Sequence, residues 1–262
     1  MITRERKNMK KFYITTAIDY ANSRPHIGHA YEKVISDIIA RYKRLSGYEV
    51  LFTTGTDEHS VNVCVRANEL KKDPKAYCDE IAAVFRELCT VYNISINDFI
   101  QTTEQRHARS VTELFARMDK NGDIYRGNYE GWYCKSCESF YTRQELTEDG
   151  LCRTHKTPAD MIKEENYFLK VTRYTAKLTE MIEKDEFVIR PQTRRNEVLS
   201  MLRQGYNDIS VSRANQSWGI DFPVDKTHKV YVWFDALINY LTSAGFATDD
   251  ERFAKWWPAD TH

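Results

Sequence analysis

One stretch near the start of the chain, residues 11–31, constrains the fold more than any other part of the sequence. Its first half, residues 12–18, is an apolar and β-branched run (FYITTAI) that predicts a buried strand. A polar turn over residues 19–24 follows, and Pro25 is a residue type that suits the first turn of a helix. A strand that leads through a turn into a helix N-terminus presents backbone N–H groups at one point. This arrangement predicts a binding site for an anion.

Two histidines lie at that predicted helix start. His26 and His29 are three residues apart, so both imidazoles project from one side of the first turn. Gly28 between them has no side chain, which leaves room for a flat ligand against the backbone. Imidazoles in this position can hydrogen-bond a triphosphate, which suggests nucleotide activation. The alternative is that the histidines and the glycine only cap and pack the helix.

The first 120 residues alternate between predicted strands and helices. Two further strands are predicted at residues 49–53 and 99–103, and helices at residues 30–45, 61–70, 76–92 and 104–120. This alternation is typical of an α/β fold with a doubly wound parallel sheet, a Rossmann-like nucleotide-binding domain. Ligands of such sheets bind at the carboxyl ends of the strands. Four side chains are expected there: Tyr20, His26, His29 and Asp57.

The pattern changes after residue 121. Residues 124–146 are aromatic and rich in turns, and helices are predicted at residues 172–184 and 197–204. The apolar run at residues 230–234 then predicts a strand, followed by a helix over residues 235–241. We therefore predict the first half of a Rossmann-like catalytic domain (1–120), a connective insertion (121–225) and the start of the second half of the catalytic domain (226–262).

Three of the six cysteines lie near a histidine with the spacing C-x2-C-x14-C-x2-H, namely Cys134, Cys137, Cys152 and His155. Each pair can present both ligands to one ion from a single tight turn, and thiolate with imidazole suits tetrahedral zinc. Four protein ligands leave no open position, so the predicted zinc is structural and should supply much of the folding energy of the insertion. The alternative is two unrelated residue pairs. The other three cysteines are predicted to be buried small hydrophobic residues.

Charge and composition restrict the class of protein. The 262 residues include 38 basic and 38 acidic side chains, so the formal net charge is zero and overall electrostatics do not favour tight nucleic-acid binding. No apolar run is long enough to span a bilayer, and the charged start MITRERKNMKK is unlike a secretory signal. Cysteines in a metal-binding pattern suit a reducing compartment. We therefore expect a soluble, cytoplasmic protein with no membrane partner; its oligomeric state is not predicted.

The sequence His26-Ile27-Gly28-His29 closely resembles the HIGH signature of class I aminoacyl-tRNA synthetases. The flanking sequences TAIDYAN (16–22) and TGTDEH (54–59) resemble those of methionyl-tRNA synthetases in particular. The resemblance implies activation of L-methionine by ATP, bound with Mg²⁺, to methionyl-adenylate, and transfer to tRNA(Met). It also implies that His26 and His29 are catalytic, that ATP contacts His26, Gly28 and His29, and that the insertion carries zinc.

The resemblance further implies a methionine pocket. A long, polarizable side chain suits an aromatic pocket, and the substrate ammonium suits a carboxylate, here Asp57. The other implied pocket residues are Ala17, Ile18, Tyr20, Trp233, Ala236, Ile238 and Tyr240. From the residue types alone, packing in the protein core is the alternative role for Trp233 and Tyr240. His59 is a further site candidate, or a cap of the next helix.

A second class I motif, the lysine-rich KMSKS sequence that grips the pyrophosphate end of ATP, is not found in the chain. We therefore expect a fragment that keeps most of the methionine pocket, is weak or inactive in adenylate formation, and lacks the anticodon-binding domain of the family. One alternative is a synthetase for leucine, isoleucine or valine, which the short insertion disfavours. Another is a non-catalytic, zinc-stabilised RNA-binding module of the same fold. The arginines at positions 190, 194, 195 and 203 either contact the tRNA acceptor end or form a solvated face.

Overall fold

The computed structural model describes residues 9–214 and 216–262. In chain order the elements are β1 (Lys11–Thr15), β2 (Asp19–Tyr20), α1 (Ile27–Leu45), β3 (Glu49–Asp57), α2 (Val61–Glu69), α3 (Pro74–Val91), β4 (Asp98–Gln101), α4 (Gln105–Lys120), β5 (Ile124–Cys134), β6 (Ser139–Tyr141), a short 3-10 helix (Arg143–Glu145), β7 (Asp160–Leu169), α5 (Thr172–Glu183), α6 (Gln192–Gln204), β8 (Ile209–Ser210), β9 (Ser212–Ala214), β10 (His228–Val230), α7 (Val232–Leu237), α8 (Asn239–Ala244) and α9 (Asp250–Trp256). Among the described helices, none is both long and apolar enough to cross a lipid bilayer.

The described chain divides into two compact units. The first contains the residues up to Leu114 together with Gln216–Pro223 and Val232–His262, and the second contains residues 115–214 and Val224–Tyr231. The boundaries predicted at residues 120 and 225 stay predictions; the units change after Leu114 and Tyr231, and Gln216–Pro223 belongs to the first unit. The roles assigned to the three segments stay predictions.

A parallel sheet forms the centre of the first unit. Strand β3 pairs in parallel with β1, β2 and β4. Nearly all of β3 is buried, as expected for a parallel strand that is covered on both faces. The single strand predicted at residues 12–18 is in fact two strands, because the backbone N–H of Ala17 donates to Glu32 Oε1 and leaves the ladder. All these strands end at one edge of the sheet, where Tyr20 and Asp57 are register partners.

Alternate residues of β1 and β3 pack on opposite faces of this sheet. On one face the strands contribute Phe12, Ile14, Val50 and Phe52, which pack with Ala40 of α1 and Cys89 of α3. On the other face Tyr13 and Leu51 pack with Ala244 of α8 and Trp256 of α9. Helices on both faces of a parallel sheet are the doubly wound arrangement. The predicted fold class is therefore confirmed.

The prediction of a strand at residues 230–234 is wrong, whereas the predicted helix at residues 235–241 is helical except at Ile238. Strand β10 ends at Val230, helix α7 begins at Val232, and α8 follows from Asn239. A short apolar run does not distinguish a buried strand from a buried helix by its periodicity. The helix buries Val232 and Asp235 on one side, which a strand with a period of two would place on opposite faces.

The second unit is built around an antiparallel sheet in the order β6-β5-β7-β8. Strands β5 and β7 pair from Ile124 with Leu169 to Tyr133 with Asp160, a long ladder that the sequence pattern did not indicate. Strands β9 and β10 form a second, two-stranded antiparallel pair. The guanidinium of buried Arg213 lies 3.7 Å from the ring centre of Tyr231.

Helix α6 begins five residues before the predicted start. The prediction missed its first turn because the sequence there, QTRRN, is polar and lacks the apolar spacing of a buried helix face.

We expect Gly55→Ala to lower the free energy of unfolding by at least about 3 kcal/mol. A Cβ at this central position of β3 would lie 2.0 Å from the carbonyl oxygen of Ile100 in β4, so the two backbones would have to separate. Urea denaturation of the purified chain measures the change.

Gly47→Ala is the matched control in the same unit. Gly47 has a φ of +85°, but a Cβ added there would have no heavy atom within 4 Å, so only the backbone strain of about 1–2 kcal/mol is expected. Equal losses in the two variants would show that the close approach of β3 and β4 does not matter.

Candidate active site and candidate zinc site

The two histidines of the HxGH sequence cap helix α1 reciprocally. His26 is the N-cap, and its Nδ1 accepts a hydrogen bond from the backbone N–H of Gly28 at 3.1 Å. His29 Nδ1 accepts one from the backbone N–H of His26 at 3.0 Å, which completes a capping box. Pro25 therefore lies before the cap, and its predicted place in the first helical turn is wrong. A Cβ at Gly28 would lie 2.9 Å from the His26 ring, so any larger residue there would displace that ring.

The hydrogen bonds also define the protonation of these rings. Since each Nδ1 accepts, a neutral imidazole carries its proton on Nε2. Burial lowers the pKa of His29, and the nearby His26 and Lys33 lower it further, against the opposite effect of Asp19. The two rings stack with their centres 3.8 Å apart, and His26 is exposed. The site therefore presents the His26 Nε2–H beside the positive end of the α1 dipole, which suits an anion.

The carboxyl edge of the parallel sheet brings together four of the residues predicted for the methionine pocket. Tyr20 pairs in register with Asp57, and its ring meets Trp233 edge to face with centres 5.9 Å apart. Burial raises the pKa of Tyr240, and the negative charges of Glu32 and Asp57 add to that rise. The end of β2 and the segment around α7 thus supply aromatic rings, and the end of β3 supplies a buried carboxylate beside them.

The other predicted pocket residues lie in different surroundings. Ala17 is exposed and Ile18 is half-buried, both in the gap between β1 and β2. Ala236 is half-buried on α7, whereas Ile238 is 2 % exposed and belongs to the interior. Methionine binding by all eight predicted residues stays a prediction.

A buried carboxylate on α7 binds two histidines, a cluster that was not predicted from the sequence. Asp235 Oδ2 lies 2.6 Å from His59 Nδ1, and its Oδ1 lies 2.9 Å from His107 Nε2. Burial alone would raise the pKa of Asp235, but the charges and hydrogen bonds of the two histidines hold it well below its usual value. The bridge joins α7 to the end of β3 and to α4. An aspartate within the apolar run VYVWFDALI was the available signal, because a buried carboxylate requires partners.

His59 itself was predicted to be either a site residue or a cap of the next helix. The cap of α2 is instead Ser60, whose hydroxyl accepts from the backbone N–H of Asn62. His59 is buried, and its ring meets the indole of Trp218 with centres 5.6 Å apart. The indole N–H donates to the carbonyl of Glu58 at 2.6 Å, so this ring closes over the end of β3.

A second buried pair lies beside the histidine cap. Lys33 is on α1 one turn after His29, is fully buried, and donates to Asp19 Oδ2. Asp19 is also buried, and its Oδ1 lies 3.7 Å from His29 Nε2. Asp19 was predicted to lie in a polar turn, but it begins strand β2. A lysine at position i+4 from His29 was the sequence signal for this pair.

The four predicted metal ligands come together in the second unit. Their ligand atoms all lie within 4.8 Å of one another, and Cys137 Sγ is 3.4 Å from Cys152 Sγ and 3.0 Å from His155 Nδ1. Ligands at 2.0–2.3 Å from a tetrahedral zinc ion are about 3.3–3.8 Å apart, and the separations in this cluster lie around that range, so small side-chain shifts would seat zinc among these donors. The turns are alike, because Glu138 after Cys137 and Lys156 after His155 both have φ near +55°.

The donor chemistry of the cluster also suits a metal. The backbone N–H of His155 donates to Cys152 Sγ at 3.5 Å and is the main reason why the pKa of Cys152 falls to about 6. Burial raises the pKa of Cys137, so Cys152 is the first of this pair to become a thiolate. The thiolate is the form that binds metal ions. Of the other cysteines, Cys78 and Cys89 are buried, as predicted, and Cys64 is half-buried.

Comparisons with known proteins identify relatives along the whole described chain. A family profile described as "tRNA synthetases class I (M)" matches residues 12–163 and 144–262. The methionine–tRNA ligase of Thermotoga maritima is 46% identical over 96% of this chain and 40% of its own length. The methionine–tRNA ligase of Rickettsia conorii is 45% identical over 96% of this chain and 49% of its own length.

A solved structure gives the same result. Methionyl-tRNA synthetase of Mycobacterium tuberculosis, in complex with methionyl-adenylate, superimposes with a TM-score of 0.91 at 43% identity, over 96% of this chain and 50% of that chain. The chain thus spans about half the length of the relatives it matches, or less. On the family match and the identity to these relatives, the chain belongs to the class I (M) tRNA synthetases, the family of the methionine–tRNA ligases.

Proposed function

We propose that this chain supplies the methionine-activating part of a methionine–tRNA ligase. L-methionine and ATP, bound with Mg²⁺, would react to methionyl-adenylate and pyrophosphate, and the methionyl group would then pass to the 3′-terminal adenosine of tRNA(Met). The observation that carries the proposal is the histidine-capped α1 N-terminus, whose His29 lies 3.7 Å from Asp19, beside the Tyr20 that pairs with Asp57 and contacts Trp233. The relative from M. tuberculosis, whose structure contains methionyl-adenylate, supports it.

The proposed chemistry needs no nucleophilic side chain. The methionine carboxylate attacks the α-phosphorus of ATP, a new P–O bond forms, and the bond to the β-phosphate oxygen breaks to release pyrophosphate. His26 Nε2–H and the α1 N-terminus would stabilise charge on the phosphates, while Asp57 would bind the substrate ammonium. Tyr20 and Trp233 would enclose the thioether. Catalysis of this kind comes from positioning and from preorganised charge stabilisation.

The proposed activity of this chain by itself is limited. The chain contains no KMSKS-like sequence, so we infer that it binds methionine but forms adenylate weakly or not at all by itself. The cysteine pattern supports a cytoplasmic location. The family match sets aside the synthetases for leucine, isoleucine and valine.

The second candidate function is a non-catalytic, zinc-stabilised RNA-binding module. The absent KMSKS-like sequence favours it, but the zero net charge does not. Three of the four arginines predicted as a tRNA contact are also engaged within the second unit. Arg194 pairs with Glu197, Arg203 pairs with Glu183, and Arg195 donates to the carbonyl of Ile182.

We further propose that Cys134, Cys137, Cys152 and His155 hold one structural zinc ion. Four protein ligands in two similar turns support this assignment. Bound zinc would supply folding energy to the second unit and no reactive water.

Isothermal titration should detect binding of L-methionine but not of leucine, isoleucine or valine. Asp57→Asn should weaken methionine binding about 10- to 100-fold, because a charge-assisted hydrogen bond to the ammonium contributes about 1.5–3 kcal/mol. Asp119→Asn, at an exposed position near the end of α4, is the matched control and should bind normally. A folded chain that binds no methionine, or all four amino acids equally, would refute the methionine site.

Elemental analysis of the purified chain should give one zinc ion per molecule. Cys137→Ser should lower zinc affinity more than about 100-fold, because it removes a ligand from a four-coordinate site. Cys64→Ser, which changes a half-buried cysteine of the first unit, should keep full zinc content. A wild-type chain that stays free of zinc in zinc-supplemented buffer would rule out the proposed site.

A further inference from the structure

Burying the Asp19–Lys33 pair costs desolvation free energy that side-chain packing does not explain. Lys33 is 0 % exposed and Asp19 is 5 % exposed, so both charges are removed from water. Desolvation costs several kcal/mol per ion, and apolar residues of similar volume often serve stability equally well. A pair kept at this cost beside the histidine cap points to a role in the chemistry of that cap.

The geometry connects the pair to His29. One oxygen of Asp19 accepts the Lys33 bond, and the other lies 3.7 Å from His29 Nε2. That distance is too long for a hydrogen bond but within the range of a strong electrostatic interaction. On the other side of the ring, Nδ1 accepts the backbone N–H of His26. The ring thus faces a donor at Nδ1 and a carboxylate near Nε2, which favours the neutral form with its proton on Nε2.

Protonation of His29 would disrupt this arrangement. A proton on Nδ1 would face the N–H of His26, so two donors would oppose each other and the capping bond would be lost. An unpaired carboxylate 3.7 Å away would promote that protonation. Lys33 already neutralises Asp19, so the imidazole is not required as its counter-ion. The groups around the ring are Asp19 from β2, His26 from the cap, Lys33 from the next turn and the Phe85 ring from α3, while Glu32 lies 4.0 Å from the Lys33 ammonium.

We propose that Asp19 and Lys33 are positioning residues for His29. Lys33 neutralises Asp19, so the carboxylate orients the imidazole without protonating it, and the capping box that directs His26 outward stays closed. The meaning of this for catalysis rests on the proposed function, because His26 is assigned there to the phosphates of ATP. The arrangement itself requires no substrate.

Nitrogen NMR of the chain with ¹⁵N-labelled histidine tests the proposal, because the two ring-nitrogen shifts report both tautomer and charge. His29 is assigned by the signal that His29→Gln removes. At pH 7 the wild type should show His29 neutral with its proton on Nε2. In Lys33→Met the bare Asp19 carboxylate should raise the titration midpoint of His29 and make the ring an imidazolium at pH 7. Asp19→Asn/Lys33→Met should restore the neutral ring.

Lys43→Met is the matched control on the same helix. The Lys43 ammonium lies over the rings of Phe12 and Tyr48, and the substitution should leave the His29 midpoint unchanged. A His29 that stays neutral with an unchanged midpoint in Lys33→Met overturns the proposal.

If circular dichroism shows that Lys33→Met does not fold, Asp19→Asn decides the question. Loss of the carboxylate must lower the His29 midpoint, since only Asp19 raises it, and an unchanged midpoint overturns the proposal. All these readings are made without methionine or ATP. A chain with the expected His29 behaviour but no methionine binding would therefore refute the proposed function and leave the positioning role intact.

Discussion

Burial of polar groups at the end of β3 is the constraint on which the first unit depends. Four consecutive polar residues, from Asp57 to Ser60, are buried where the strand leaves the sheet. A buried polar group without a partner costs about 1–3 kcal/mol, so each of them must be satisfied by neighbouring elements. Glu58 accepts from Thr56, Gln101 and Thr103, which fixes the segment after β4. His59 binds Asp235 and thereby fixes α7.

The same constraint fixes the geometry of the candidate site. Trp233 and Tyr20 meet at the carboxyl edge because Asp235 holds α7 against β3 and α4, not because the two rings attract each other strongly. An edge-to-face aromatic contact contributes only about 0.5–1.5 kcal/mol, whereas breaking a buried charged network costs about 3–5 kcal/mol. The polar network therefore sets the geometry, and the aromatic residues fill it.

Local signals in the sequence were enough for much of this structure. The HxGH capping sequence, the alternation of strands and helices, and the two metal-binding turns each lie within short segments, so spacing alone predicts them. The cluster of Asp235 with His59 and His107 was missed because its members are distant in the sequence: His59 and Asp235 are 176 positions apart. The apolar run at residues 230–234 failed for a related reason. Helix α7 places Asp235 against His59 and His107, and the periodicity of a short apolar run gives no information about such distant partners.

The two metal-binding turns have a consequence for strand register. Strands β5 and β7 form a long ladder whose outer end, from Asp160 to Lys163, is mostly exposed on β7 and mostly half-buried on β5, so side-chain burial specifies the register less strongly there than at the inner end. Cys134 ends β5, and the turn that contains Cys152 and His155 lies shortly before β7. A zinc ion held by both turns, as proposed, would limit how far each strand can move along the other. It would therefore hold the outer end of the ladder in the register that buried residues such as Asn166 and Phe168 specify at the inner end.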